Sequence, residues 1–262
     1  MLEFPVYIVH AFTDLAFGGN PAAVCLVGNK NLSDDVLQKI AAEMNLSETA
    51  FIKLVDDNDD DDNNNNNNNN KYTSSSRFNL RWFTPLTEVN LCGHATLASA
   101  AVLFQCCGNQ SERVTFDTLS GLLLASRSRD IHANDVISLD FPLNEPQPVT
   151  ISAQMKDIID IVDVELSRGT KKLVIRLSDD DDPFDFYSRY FAPWVGIDED
   201  PVTGSAHTVL GPYWSKILRR TSLKAKQCSR RSGIMYVNVD GSNGRCYLKG
   251  NAVVVLKGDI SI

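Results

Sequence analysis

Arg81-Trp82-Phe83-Thr84-Pro85, leading into Gly93-His94-Ala95, recurs as Arg189-Tyr190-Phe191-Ala192-Pro193, leading into Gly204-Ser205-Ala206. The first blocks are offset by 108 residues and the second by 111, so a three-residue insertion separates two otherwise matching copies. A repeat of roughly half the chain points to two related halves, as opposed to an array of short units with periods of about 20 to 50 residues. In each copy a strand-like aromatic run stops at a proline, crosses a short loop and reaches a glycine that opens an apolar helical stretch. The spacing therefore predicts helix starts at Gly93 and Gly204.

The first amides of a helix have no partner within it and lie at the positive end of its dipole, so two such starts facing one cleft suit an anion such as a carboxylate or phosphate. Glycine there also lets backbone amides approach a ligand; the plainer reading is a repeated turn that opens a packed helix. From Ala95 to Phe104 the first helix carries no charge, and none follows before Glu112. A helix apolar all round must be covered all round. It is too short for the ~20 residues of a membrane span, so a wrapped sheet is the expected cover. The second helix, through Val209, Leu210, Tyr213, Trp214, Ile217 and Leu218, is more amphipathic.

The 262 residues suffice for two domains with sizeable cores, expected at 1–120 and 121–262. The formal charge of -8 argues against nucleic acid as a partner, yet ten of the acids sit in the tracts Asp56–Asp62 and Asp179–Asp182, and removing them takes the charge to +2. The basic stretch of Arg219, Arg220, Lys224, Lys226, Arg230 and Arg231 reads as a solvated face. Neither a signal peptide nor a membrane span is evident. Six cysteines without a Cys-x-x-Cys pair and four scattered histidines suggest reduced thiols, a cytoplasmic location and no metal.

Strands are expected at 7–12, 22–27, 49–54, 114–116, 122–125, 136–141, 173–177, 234–239, 245–248 and 252–256. Ser33 caps a helix with Val36, Leu37, Ile40, Ala41 and Met44 on one face, and a further helix is expected at 155–162. Residues 56–76, with eight consecutive asparagines, read as a disordered surface insertion without functional role. Many strands around one main helix per half make the fold α+β. It is expected as two pseudo-symmetric domains, each a curled, mostly antiparallel sheet around a central helix. No phosphate-binding glycine loop follows a first strand.

Phe17-Gly-Gly-Asn-Pro-Ala-Ala-Val24, Glu48-Thr-Ala-Phe51, Arg81–Pro85, Leu91-Cys-Gly-His-Ala-Thr96 and Glu199-Asp-Pro-Val-Thr-Gly-Ser-Ala-His207 together resemble the PhzF-like, or phenazine biosynthesis-like, proteins. The resemblance implies the diaminopimelate-epimerase fold, with an active site between two similar halves. It also implies cofactor-free movement of a proton on a small carboxylated metabolite, an isomerisation. On that basis Glu48 is the general acid/base, with His94 and Asp200 beside it as catalytic candidates; Asn20, Gly93, Gly204 and Ser205 are the substrate-binding candidates. Each has a structural alternative. Glu48 reads as a solvated carboxylate, His94 or Ser205 as a helix cap, Asp200 as a turn residue and Asn20 as part of the Gly-Asn-Pro turn.

Three features set this chain apart from what the resemblance implies. The related two-thiol epimerases place a cysteine before each glycine; here Cys92 fills the first position and Thr203 the second. The link from Leu177 to Tyr187 is a short acidic stretch where a further strand is expected, and His10 stands in place of an acid. The expected function is a cofactor-independent isomerase, possible as a homodimer. The alternatives are a catalytically silent binding protein of the same fold, or a cysteine-dependent enzyme in which a helix start activates Cys92.

Overall fold

A computed structural model of the chain describes residues 2–55, 71–129, 135–150, 161–177, 183–193 and 197–262. Its strands are β1 (Glu3–Ala11), β2 (Asn20–Gly28), β3 (Glu48–Leu54), β4 (Arg77–Phe83), β5 (Glu88–Val89), β6 (Arg113–Thr118), β7 (Gly121–Arg129) and β8 (Asp135–Pro142). They continue as β9 (Gln147–Pro148), β10 (Ile161–Ser167), β11 (Lys172–Leu177), β12 (Phe186–Ser188), β13 (Ser222–Gln227), β14 (Gly233–Asp240), β15 (Arg245–Gly250) and β16 (Ala252–Ser261). The helices are α1 (Asp34–Met44), α2 (Gly93–Ala101) and α3 (Gly204–Leu218). One 13-stranded sheet runs β12-β13-β14-β15-β8-β7-β6-β4-β3-β2-β1-β16, with β5 paired to β4; β11-β10-β9 form a second sheet. Only the pairs β2–β3, β4–β6 and β12–β13 are parallel among the described strands. The class is the α+β, mostly antiparallel architecture expected from the sequence.

The uncharged helix is covered as its composition demands. All nine residues of α2 are buried, against β1, β2, β3, β7, β8 and β16. It runs on through a π-helical turn, Val102–Cys106. On the opposite face of the sheet, α1 packs Leu37, Ile40 and Ala41 against Phe4, Val6, Cys25 and Phe51. Its Ser33 hydroxyl accepts the Val36 amide, and Asn45 closes it in the left-handed conformation. Strand β2 is thus sandwiched between two helices, which is why Ala22–Val27 reads as an unbroken apolar run. In the second half α3 packs against β11, β13, β14 and β15, with Phe186 stacked on Trp214 at 5.6 Å.

The repeat is visible in the ion pairs. Arg81 grips Glu88 with Nε–Oε1 at 2.7 Å and Nη2–Oε2 at 2.8 Å; Arg189 grips Glu199 at 2.7 and 3.0 Å. The strand that precedes this pair is not repeated. β4 carries Arg81–Phe83, whereas β12 stops at Ser188 and Arg189–Phe191 are irregular, a correction to the strand-like reading of both copies. Strands from both sides of residue 120 surround α2: β6 and β7 form one hairpin across that point, and β16 pairs with β1.

Of the helix expected at 155–162, residues 155–160 lie outside the described residues, and Ile161 and Val162 open strand β10. Strand β13 has no counterpart in the sequence reading, because its alternation is masked by the basic stretch. Leu223, Ala225 and Gln227 are buried while Ser222, Lys224 and Lys226 face outward. Residues 56–70 of the expected disordered insertion are likewise outside the described set, but 71–76 are ordered. Residues 71–74 form a helical turn that buries Tyr72. The Tyr72 hydroxyl donates to Ile52 O at 2.9 Å and accepts the Gly28 amide at 2.8 Å. Tyr72→Phe should therefore leave two backbone groups unpaired and cost about 1–3 kcal/mol, read from urea unfolding; a change within about 0.3 kcal/mol would show that other partners replace the hydroxyl. Among the described residues no helix is long and apolar enough to cross a membrane, and all six cysteines are free thiols.

Candidate active site

The two helix starts predicted at Gly93 and Gly204 exist, and they touch. A Cβ built on Gly93 would stand 3.0 Å from the Gly204 Cα, and one on Gly204 would stand 3.1 Å from the Gly93 Cα. The space left by each missing side chain is filled by the opposite helix's backbone, so glycine here serves helix-to-helix approach. Cys92 and Thr203 occupy the N-cap positions, and neither makes a side-chain capping hydrogen bond. The first-turn amides of both helices thus converge on one place.

Parallel pairing of β2 with β3 sets Ala22 beside Glu48, and so brings Asn20 and Glu48 to the same end of the sheet. Glu48 is 9% exposed and His94 3%. Their Oε2 and Nε2 atoms lie 3.2 Å apart, yet neither makes a hydrogen bond. Burial, with the Asp200 carboxyl nearby, pushes Glu48 up to about 8, while contact with the Cys92 thiol opposes that rise. Burial pushes His94 down to about 3. Both directions favour neutral groups near pH 7, so the close approach is not an ion pair. The His94 Nδ1 is met by Asn20 Nδ2 at 3.1 Å and Cys92 Sγ at 3.4 Å. Asn20 Nδ2 is a donor, and an accepting Nδ1 places the ring proton on Nε2, facing Glu48.

Asn20 is fully buried and ties the halves together. Its Nδ2 lies 2.9 Å from both Asp200 Oδ1 and Val202 O and 3.1 Å from His94 Nδ1, three acceptors that share its two hydrogens, and its Oδ1 accepts from Ser47 at 3.2 Å. The Asp200 Oδ2 accepts the Thr203 hydroxyl. Burial lifts Asp200 to about 6, and the bonds from Thr203 and Asn20 hold it back. Ser205 lies in the first turn of α3 and is half-buried; the N-cap is Thr203.

Several contributors were not assigned to the site from sequence. Gln227, on β13, accepts the Thr203 amide at 2.8 Å and donates to Asp200 O at 2.7 Å, locking the loop before α3. Nothing local marks it. Arg231 was read as solvated, but its guanidinium donates to Gly18 O and Gly19 O at 2.9 and 2.8 Å, pinning the loop before Asn20 to the second half. His10 takes the Phe17 amide on Nδ1 at 3.0 Å in the same loop. Glu48, Cys92 and His94 offer donor atoms within 4.8 Å of one another.

A protonated buried carboxyl has a thermodynamic signature. Folded Glu48 keeps its proton up to about pH 8, whereas in the unfolded chain it ionises near 4.5. The stabilisation is therefore full below the unfolded value and lost as pH rises through this window. Relative to Glu48→Gln, the wild type should lose about 1.4 kcal/mol of unfolding free energy per pH unit between those limits. Parallel pH curves for the two proteins would show that Glu48 is solvated.

Comparison with known proteins agrees with the architecture. The family model for phenazine biosynthesis-like protein, PhzC-PhzF, matches residues 9–179 and 162–258. A phenazine biosynthesis-like domain-containing protein of Mus musculus is 44% identical over 306 residues, covering 99% of this chain and 100% of its own length. An uncharacterized isomerase of Halalkalibacterium halodurans is 36% identical, covering 99% of both chains. A crystal structure of a phenazine biosynthesis protein PhzF family member from Enterococcus faecalis matches with a TM-score of 0.83 and 34% identity over 100% of both chains. The mouse alignment spans 306 positions against 262 residues here. The relative therefore carries aligned segments that this chain lacks, and the two family-model matches meet at 162–179, beside the short acidic link.

Proposed function

The chain belongs to the phenazine biosynthesis-like family, and from that membership together with the geometry around Glu48 and the two helix starts we propose that it is a cofactor-independent isomerase moving a proton on a small carboxylated metabolite. The observation that carries the reading is the buried Glu48, whose pKa of about 8 lies close to working pH. A group that exchanges its proton near neutrality is what carbon acid chemistry requires. The substrate carboxylate is held by the first-turn amides at Gly93 and Gly204, with Ser205 beside them. His94 donates from Nε2 to a substrate oxygen and so stabilises charge that develops as the C–H bond breaks. Glu48 removes the proton as carboxylate and returns it at another carbon.

Asp200 is more acidic than Glu48, and this separation assigns them different roles. It stays largely ionised and, through Asn20 and Thr203, holds His94 and the second helix start in register. Asn20 bridges the two halves and leaves substrate contact to the helix starts. Thr203 in the second pre-glycine position supplies no thiol, so a two-thiol racemisation is not proposed.

Incubation in deuterated water with a panel of aromatic and amino-acid-like carboxylates, followed by NMR, tests this reading. Deuterium entering a carbon position supports it. Retained carboxylate binding with no exchange by the folded protein would favour a catalytically silent binding protein.

A further inference from the structure

Phe12 follows the last residue of β1, yet it is held by the second half of the chain. Its amide donates to Asn251 O at 2.8 Å, and its carbonyl accepts the Ile234 amide at 3.1 Å. Its φ is 62°, in the left-handed region that a bulky side chain rarely adopts. Such a conformation persists only where the surroundings over-determine it. The ring is fully buried and occupies space that glycines leave open. A Cβ on Gly250 would stand 2.5 Å from the Phe12 Cδ1, and one on Gly204 would stand 3.5 Å from its Cζ. A Cβ on Gly233 would stand 2.7 Å from the Phe12 carbonyl oxygen. Gly204 in turn abuts Gly93. The ring edge therefore lies beside the contact of the two helix starts, bordering the same space beside Gly204 that Gly93 borders.

We propose that Phe12 is a positioning residue, a wedge beside the contact of the two helix starts, and that it sets the gap between them and with it the affinity of the site for the substrate carboxylate. The proposal rests on the carboxylate reading given above. It follows from close packing: the ring edge and the Gly93 backbone border the same space beside Gly204, so moving the ring changes how the two helix starts settle against each other.

Phe12→Leu removes the ring edge and keeps an apolar side chain, whereas Gly250→Ala leaves Phe12 in place and displaces its ring. Three readouts apply to both variants, taken well below their unfolding temperatures. These are the amide NMR shifts of Gly93, His94, Gly204 and Ser205; benzoate affinity by titration; and the kcat and KM of carbon-hydrogen exchange. Both variants should move the helix-start amides and leave those of α1 unchanged. Benzoate Kd and KM should rise about tenfold, with kcat within about twofold of wild type, as expected for loss of binding shared by ground and transition states. Folded variants with wild-type amide shifts and benzoate affinity would overturn the proposal, as would losses that only track the unfolded fraction. If wild type binds no benzoate, the carboxylate reading fails by itself, and the amide shifts still decide whether Phe12 sets the helix starts.

Discussion

Glu48→Gln is expected to slow carbon-hydrogen exchange by about 10²- to 10⁴-fold while leaving the protein folded. The two side chains have nearly the same shape, so the pocket is not emptied. The native carboxyl is neutral over most of the range below its value of about 8, so the amide imitates the resident form and strands no charge. What it removes is the exchangeable acid. The wild-type kcat/KM for exchange should climb with pH toward a plateau above about pH 8, because proton removal needs the carboxylate. The glutamine variant should lack that limb. Activity and stability thus respond to pH in opposite directions through one group. A Glu48→Gln protein that keeps exchange within a few-fold of wild type, beside a Cys92→Ser protein that loses it, would transfer the chemistry to the thiol.

Gly93→Ala and Gly204→Ala are each expected to lower kcat/KM by about 10- to 100-fold, since a displacement well under an ångström at a positioning group has effects of this order. The added carbon meets backbone at 3.0 or 3.1 Å, not the movable end of a side chain, so the helix starts must separate. Overpacking of this kind costs about 1–3 kcal/mol of stability, which a domain-sized core withstands. Both substitutions open the same gap, so the double variant should lose less than the sum of the single losses. Wild-type kcat/KM in either folded alanine variant would show that the contact between the glycines has no catalytic consequence.

The second half is where sequence and structure differ most. The acidic link at 178–182 lies outside the described residues. Within that half, the alternation of β13 was hidden because its outward positions are lysines that also fit a helix end. The 189–191 copy of the aromatic run is irregular although its partner at 81–83 is a strand. Similar residues took different backbones because β4 has neighbours on both sides in the sheet, whereas β12 ends a short parallel pairing with β13.

Local chemistry was enough for what depends on a few successive residues. An uncharged apolar run from Ala95 to Phe104 asks for a covered helix, Ser33 can accept an amide three residues on, and a glycine after a prolyl loop can open a helix, so these elements were present in the sequence alone. The values of the active groups were not. The bond between Asn20 and Asp200 joins residues 180 apart, and Gln227 reaches the same loop from another strand. Phe12 gains its role only by lying against glycines at 204, 233 and 250. The raised pKa of Glu48 comes from burial and from Asp200. Desolvation and Coulomb forces depend on distance through space, and only the folded chain sets those distances.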